Sequence, residues 1–520
     1  MLFNKLGGLA AWNRLLPLLV VVYLGITLIG LERYPAVWGD EAWIAEPAWV
    51  KAAGGPLGSP SCGELFRFSD RLYWMPPLHF LALAAVYAAG IPVLPGGRLL
   101  SVLLGVATLL VLLRWSAEVL AEPEGSLDRS RGEDDRGGAR RRAWLLVVIA
   151  LAFAADPILW KSHRTIRFEA MLALWNVLAV SAAWNPRRAW RGPITGAASA
   201  LAMLTHPNGV LTVLAAGGVL LLRRRSWSGA WRDAAAATGV FAVFCLPTAI
   251  YFLQDRAVDF ANVIGQNAPH LHGERSSPVW IQWGRELHRY GAYFAWPRLA
   301  LPLLLWAGTL FAAVRLRAPA ALGWVVGITL AGLACMPNKS ELYLTLAAPY
   351  LFVLAAWVGM RLRPRLAAVL AALWLANLFA ADAALLVRNR PCDYDAWARP
   401  LTEVVPEDAS VAGPFLAWLP FRDHRFYSVS RVRAGDLYDA RPAYLIWSKD
   451  LTEAPQFARL RRELGPFLDS HAEVVLRVDS PCYGSAVLYR PRWDEGIDVA
   501  AGWERFGLDV PRTEDDRRAR

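Results

Sequence analysis

Two adjacent carboxylates, Asp40 and Glu41, stand where the first long apolar run of the chain ends. That run extends from about Leu15 to Leu31 and predicts a membrane helix. Carboxylates are costly to bury in a bilayer, so those at its edge tend to be solvated or functional. A carboxylate in this position can take a proton from a substrate hydroxyl group. We therefore expect the pair to form the catalytic edge of a membrane enzyme; the alternative is a pair of solvated loop acids.

Other polar side chains gather at the ends of later apolar runs. In the stretch Lys161–Glu169, Arg164 and Arg167 are three positions apart, which on a helix places them on one face. Arginine forms paired hydrogen bonds with phosphate oxygens, so this stretch could hold a phosphate group. Similar candidates are His206 in the turn Thr205–Gly209, His270 and His272 in the loop 254–296, and Lys339 and Tyr343 in the stretch 337–343.

Each of these signals also has a structural interpretation. Long cationic side chains such as Lys339 reach lipid headgroups at the membrane surface. His206 could cap a helix, and a histidine pair in a loop is usually solvated. Taken together, the signals are more informative than any one of them, because the predicted topology places acids, cations and histidines on one side of the membrane. Such a side could hold a phosphate and leave a carboxylate for general-base catalysis.

The composition is that of a membrane protein. The 520 residues are 56% hydrophobic and 19% charged, with a mean hydropathy of +0.30. Soluble domains are closer to about 25% charged. Repeated apolar runs of roughly 17–25 residues indicate a polytopic α-helical membrane protein with about 11–13 transmembrane helices.

The net charge of +11 reflects where the basic residues lie. Basic clusters such as Arg223–Arg225 and the triplet Arg361, Arg363 and Arg365 separate the apolar runs. Short loops rich in arginine or lysine stay in the cytoplasm. The charge is therefore a topology signal, and we expect no nucleic-acid partner. No CxxC motif indicates a zinc or redox site among the five cysteines.

The character of the chain changes after Val387. We predict a transmembrane domain over residues 1–387, with a first extracytoplasmic loop at 32–77. A small extracytoplasmic α/β domain should follow at 388–510, and a disordered, charged tail at 511–520. The predicted strands are Ser410–Ala412, Phe426–Val429, Ala443–Trp447, Glu473–Val478 and Ser485–Tyr489, with helices at Tyr394–Val405 and Ala454–Leu464.

Two further expectations concern the path of the chain. Cys392 and Cys482 each follow a proline in the predicted outer domain, and we expect them to form a disulfide, with two free thiols as the alternative.

The number of membrane crossings conflicts with the expected orientation. If the first apolar segment brings Asp40 to the outside, an even total number of crossings leaves the C-terminal domain in the cytoplasm. We therefore expect one segment of Leu78–Leu113 to be re-entrant or split, where Pro92–Gly97 would break a helix.

Several motifs together resemble a known family. They are Gly39-Asp40-Glu41-Ala42, Pro76-Pro77-Leu78, Arg98-Leu99-Leu100-Ser101, Arg164–Glu169, and Asn338-Lys339 with Tyr343 and Pro349. Over about Leu15–Leu386 the chain resembles the GT-C membrane glycosyltransferases. The branch is the bacterial one that contains protein O-mannosyltransferase-like and lipid A aminoarabinose transferase-like enzymes. The Asp-Glu signature is the most specific of these motifs.

The resemblance implies inverting transfer of a sugar from a polyprenyl-phosphate-linked donor to a lipid, glycan or protein acceptor. The reaction would occur at the outer face of the cytoplasmic (inner) membrane. Asp40 would be the general base and Glu41 its electrostatic support. The resemblance further implies donor-phosphate binding by Arg98, Arg164, Arg167, Lys339 and Tyr343, substrate binding by Glu169 and His206, and a divalent metal, the only cofactor implied, at His270 and His272.

Other classes of protein make different predictions. A transporter or flippase for lipid-linked sugars should carry charges at mid-membrane and an internal repeat, and we see no repeat. A non-catalytic assembly protein would not need Asp40. A polysaccharide ligase or polymerase would use an oligosaccharide donor. The absence of a glycine-rich phosphate loop from the sequence favours a lipid-linked donor over a nucleotide-linked one.

Overall fold

The chain divides into two compact units. The computed structural model describes residues 9–63, 67–122, 135–186, 188–223, 226–252, 286–295, 298–336, 340–429, 434–453 and 457–493. The helical unit consists of Met1–Pro35 and Tyr73–Arg388, and the α/β unit of Ala36–Leu72 and Asn389–Arg520. Helices and strands are numbered below in chain order through both units.

The helical unit is built from apolar helices joined by short polar segments. Its helices are α1 (Leu9–Leu28), α3 (Leu78–Ala88), α4 (Val93–Leu120), α5 (Asp135–Ala155), α6 (Pro157–Ser162), α7 (Glu169–Trp184), α8 (Arg191–Thr205), α9 (Val210–Leu222), α10 (Trp227–Phe252), α11 (Gly291–Phe294), α12 (Leu301–Arg315), α13 (Ala320–Cys335), α14 (Ala348–Gly359) and α15 (Pro364–Arg388). Two 3-10 turns, Pro207–Gly209 and Glu341–Leu346, precede α9 and α14.

Three of these helices are long and apolar enough to cross a membrane by length and composition, namely α4, α15 and the Trp227–Ile250 part of α10. Seven further segments are apolar but shorter. The chain is therefore a largely helical protein with membrane-type helices. The number of spans stays a prediction.

The helix break predicted at Pro92–Gly97 lies slightly earlier in the structure. Helix α3 ends at Ala88 and α4 begins at Val93, so Pro95 to Gly97 belong to the first turns of α4 and do not break it. Proline is tolerated there because the first N–H groups of a helix have no intrahelical partner. A Cβ at Gly97 would come within 2.7 Å of the Ile166 side chain, so glycine permits this close approach.

Helix α5 begins at Asp135, within the charged stretch 121–142 of the sequence. The apolar stretch from Trp144 to Leu159 is divided between α5 and α6. Asp156 accepts hydrogen bonds from the backbone N–H groups of Ile158 and Leu159 and starts the separate helix α6. An aspartate followed by proline is a strong helix start, and it ends α5 here.

Close helix packing in this unit depends on small residues. A Cβ at Gly192 or Gly196 of α8 would come within 2.5 Å of the Asp233 or Ala237 carbonyl oxygen of α10. Glycine therefore lets these two helices approach backbone to backbone. Helix α8 also packs against α7, which in turn packs against α4 and α9. This arrangement fixes the polar segments that begin α7 and end α8.

The α/β unit is built around a five-stranded sheet of order β2-β1-β3-β5-β4. Its strands are β1 (Val411–Gly413), β2 (Phe426–Ser428), β3 (Tyr444–Ser448), β4 (Ala472–Ser480) and β5 (Gly484–Pro491), and its helices are α2 (Gly39–Ala52), α16 (Tyr394–Val404), α17 (Phe415–Trp418), α18 (Ala434–Ala440), α19 (Lys449–Glu453) and α20 (Ala458–His471). Strand β1 is parallel to β2 and β3, whereas β5 is antiparallel to β3 and β4. Each predicted strand overlaps an observed one.

The predicted disulfide is confirmed. Cys392 and Cys482 are bonded, with their Cα atoms 5.2 Å apart. Beside the bridge, the Tyr483 ring packs against Tyr394 and Trp397, so the β4–β5 turn is held to the start of α16.

Residues 36–72 pack with the C-terminal domain, whereas the sequence analysis grouped the loop 32–77 with the membrane helices. Helix α2 explains this, because it buries Ile44 and several alanines and packs against α17. The Trp43 ring stacks on Phe415 at 5.8 Å. Lower in α2, the buried Glu46 carboxylate accepts hydrogen bonds from Ser59 and Ser61.

Candidate functional site

A buried ion pair stands at the start of α7. The Arg167 guanidinium contacts both carboxylate oxygens of Glu169, with Nη2 2.7 Å from Oε1 and Nε 3.0 Å from Oε2. Both side chains are buried. Glu169 lies in the first turn of α7, where the helix dipole favours a negative charge. The structure thus pairs Glu169 with the arginine two positions before it in sequence.

His206 lies beside this pair, at the end of α8. Its ring stacks on Phe168 with centroids 4.2 Å apart, and the Arg167 guanidinium lies 5.2 Å from the same phenyl ring. The His206 Nδ1 atom accepts a hydrogen bond from the Asn208 backbone N–H at 2.9 Å. In the neutral ring, Nε2 therefore carries the proton and faces the Tyr343 hydroxyl group at 3.4 Å.

Burial, and then the positive charge of Arg167, lower the pKa of His206 to about 3. The ring is therefore neutral at pH 7. A neutral imidazole beside a tyrosine hydroxyl group offers both a donor and an acceptor. Arg167, Glu169, His206 and Tyr343, four residues predicted from separate stretches, are thus connected through Phe168 into one cluster.

Arg164 has a different environment from Arg167. Its guanidinium donates hydrogen bonds to the carbonyl oxygens of Thr27 at 2.7 Å, Ile29 at 2.8 Å and Tyr34 at 2.9 Å. The last carbonyl groups of α1 have no partner within the helix, so Arg164 caps the end of α1. Burial, followed by the nearby charge of Arg98, lowers the pKa of Arg164 to about 10, and the group stays protonated at pH 7.

Arg98 also holds backbone carbonyl groups. It is buried and donates hydrogen bonds to Leu31 and, at 2.9 Å, to Pro35. Arg98 and Arg164 therefore lie side by side around the chain that leaves α1. Their contacts make them positioning groups for this segment.

Asp40 and Glu41 lie in the α/β unit, in the first turn of α2. The helix dipole favours carboxylates at that position. Glu41 is fully buried, whereas Asp40 is partly exposed. Partial exposure is what a general base needs in order to meet a substrate.

The remaining predicted residues, Lys339, His270 and His272, lie outside the described residues. Within the described ranges, no group of three or more His, Cys, Asp or Glu side chains could hold a metal ion. The predicted metal site thus lies in a part of the chain that the structure does not describe.

The structure also places together polar residues that sequence reasoning did not select. Lys161 pairs with Glu341 at 2.7 Å, and Tyr293 donates a hydrogen bond to Asp156 at 2.9 Å. Arg298 pairs with Asp382 at 3.1 Å, and both are buried. Acidic residues within apolar runs were the sequence signal that could have indicated these pairs, because such residues are rare unless they are paired or functional.

Neither a scan of protein-family models nor a search of curated protein sequences finds a match. Solved structures do match. ArnT from Cupriavidus metallidurans bound to undecaprenyl phosphate aligns with a TM-score of 0.64 and 19% identity, over 93% of this chain and 98% of ArnT.

The apo state of the same ArnT gives a TM-score of 0.63 and 18% identity, over 92% of this chain and 98% of ArnT. The arabinofuranosyltransferase AftD from Mycobacteria gives a TM-score of 0.50 and 15% identity, over 92% of this chain and 41% of AftD. These neighbours are GT-C glycosyltransferases. The chain therefore has the fold of the GT-C membrane glycosyltransferases, as its motifs predicted.

Proposed function

We propose that the chain is an inverting glycosyltransferase. It moves a sugar from a polyprenyl-phosphate-linked donor to a lipid, glycan or protein acceptor at the outer face of the cytoplasmic membrane. The observation that carries the proposal is the fold shared with ArnT bound to undecaprenyl phosphate, over 93% of this chain. A polar cluster at the ends of apolar helices supports it, because such a donor needs an apolar site for its chain and a polar one for its phosphate and sugar.

In the proposed reaction, Asp40 takes the proton of the acceptor hydroxyl group. The acceptor oxygen attacks the anomeric carbon from the face opposite the phosphate. The bond between that carbon and the phosphate oxygen breaks, and polyprenyl phosphate leaves. Attack from the opposite face inverts the anomeric centre, and Glu41 supports Asp40 electrostatically.

We divide the predicted phosphate-binding residues into two groups. Arg98 and Arg164 hold backbone carbonyl groups around the end of α1, so we assign them to positioning. Arg167, Lys339 and Tyr343 then stabilise the charge that develops on the leaving phosphate. Arg167 can do so by sharing its donors with Glu169, which keeps the arginine oriented.

His206 and Glu169 are assigned to the substrate side of the cluster. A metal at His270 and His272 remains a proposal that a chelator can test, because added EDTA should then reduce transfer.

We also propose an orientation of the helical unit in the membrane. Arg188 and Arg223, which follow α7 and α9, pair with Glu118 and Glu122 at the end of α4, and arginines in short loops between apolar helices are typical of the cytoplasmic side.

The test uses the full chain in nanodiscs, with wild type and Asp40→Asn. Each is incubated with a panel of polyprenyl-phosphate monosaccharides and acceptors, and released polyprenyl phosphate is measured. We expect wild type to release it and Asp40→Asn to lose at least 100-fold in rate, a typical contribution of general-base catalysis. Asp70→Asn removes another partly exposed acid of the same unit, paired with Arg67, and should retain the rate.

Each outcome decides a different point. No release from any donor, with donor binding intact, contradicts the enzyme class and returns the transporter or assembly alternatives, which the fold does not favour. Equal release by wild type and Asp40→Asn removes Asp40 as the base but keeps the class.

A further inference from the structure

His79 in α3 is a buried histidine that the proposed reaction has not used. Its side chain is 1% exposed, and neither ring nitrogen has a hydrogen-bond partner among the described residues. A buried polar group without a partner costs about 1–3 kcal/mol. A leucine of similar size would avoid this cost, so the imidazole calls for a partner other than the residues that the structure describes.

The position of His79 connects it with the candidate site. Its ring meets Phe168 edge-on, with centroids 6.4 Å apart and planes at 89°. His206 stacks on the same phenyl ring, and Arg167 lies over it. Helix α3 also packs against α8, whose end carries His206. Two buried imidazoles and one arginine are therefore arranged around a single aromatic ring.

The chemistry of this arrangement selects a type of ligand group. The positive charge of Arg167 opposes protonation of a nearby imidazole, so His79 is expected to be neutral. A neutral imidazole offers one donor and one acceptor, which matches a hydroxyl group. An ionised phosphate only accepts hydrogen bonds and is better served by Arg167. Phe168 adds an apolar ring against which the C–H groups of a sugar can pack.

We propose that His79 is a sugar-contacting residue, whose ring nitrogens hydrogen-bond hydroxyl groups of the donor's sugar beside Phe168 and His206. The inference rests on the proposed function, since it assumes a sugar-bearing lipid donor. It separates two subsites, with the sugar at His79 and the phosphate at Arg167.

The test measures equilibrium binding by the full chain in nanodiscs. The probes are undecaprenyl phosphate carrying mannose, glucose or 4-amino-4-deoxyarabinose, and bare undecaprenyl phosphate. His79→Leu should weaken binding of the preferred sugar-bearing lipid at least tenfold and change binding of the bare lipid less than twofold. His79→Asn, which keeps a donor and an acceptor, should recover part of the loss.

His163 provides a matched control, because it is a buried histidine of the same unit whose Nδ1 contacts the Tyr23 hydroxyl group. His163→Leu should lower thermal stability without changing the ratio of the two affinities. Equal affinity ratios in wild type and His79→Leu would overturn the sugar subsite, as would a wild type that does not distinguish the sugar-bearing from the bare lipid. A wild type that binds the sugar-bearing lipid in a His79-dependent way but transfers nothing supports the subsite and contradicts only the proposed enzyme activity.

Discussion

The Arg164 guanidinium donates a hydrogen bond to the carbonyl oxygen of Thr27 at 2.7 Å, across 137 positions of sequence. Further bonds from the same group reach the carbonyl oxygens of Ile29 and Tyr34. A single fully buried side chain thereby closes the end of α1 and fixes the segment that leaves it. These hydrogen bonds explain why a buried arginine stands at this position, without any contact between Arg164 and a substrate.

Replacing Arg164 should therefore destabilise the helical unit. Arg164→Met leaves several buried carbonyl groups without donors, and we expect the free energy of unfolding to fall by about 3 kcal/mol. Thermal unfolding in detergent measures this. Arg365→Gln, at an exposed arginine, is the control and should change the midpoint little. Unchanged stability with lost donor binding would return Arg164 to the phosphate role.

Variants of the Arg167–Glu169 pair can distinguish an effect on stability from an effect on donor binding. Glu169→Leu removes the buried carboxylate that Arg167 contacts and should cost about 3–5 kcal/mol, whereas the double replacement with Arg167→Met should recover most of that loss. If Arg167 contacts the donor phosphate, the double variant will be stable but will bind bare undecaprenyl phosphate weakly. Wild-type affinity in a stable double variant would show that the pair is only structural.

The neutral His206 should make stability depend on pH. Its pKa is about 3 in the folded chain and about 6.5 when unfolded, so the unfolded chain binds the extra proton. The stability that His206 contributes is thus fully present above pH 6.5 and is lost as the pH falls from there toward 3. Between pH 7 and pH 5 the loss should be about 2 kcal/mol.

Thermal unfolding of wild type and His206→Phe across that range provides the measurement. The phenylalanine keeps the ring stacked on Phe168 and removes the titration, so the variant should lose less stability on acidification. His288→Gln, at an exposed histidine, should retain the wild-type slope. Parallel curves for wild type and His206→Phe would contradict a buried neutral ring.

The Cys392–Cys482 disulfide should protect both thiols from alkylation in the unfolded, unreduced chain. Cys62, Cys245 and Cys335 should react under the same conditions, because they form no disulfide among the described residues. The bridge joins residues 90 positions apart, and replacing both by serine should cost about 4–5 kcal/mol in the chain-entropy model. Alkylation followed by mass spectrometry of tryptic peptides gives the pairing directly.

The sequence by itself determined the broad architecture. Apolar runs predicted the helices, because burying about twenty apolar residues in lipid outweighs local preferences. Short strand-like patches after Val387 predicted the strands, because strands are short apolar segments separated by turns. The proline-flanked cysteines indicated the disulfide, and the Asp-Glu motif and its companions indicated the GT-C fold.

Only the tertiary structure decided which polar residue has which partner. Arg164 and Arg167 are three positions apart, but one closes the end of α1 and the other pairs with Glu169. Their different roles depend on helices far away in sequence, which no local pattern encodes. For the same reason the structure groups α2 with the α/β unit and places His79 and His206 on a single Phe168 ring, because packing sets these neighbours and sequence spacing does not.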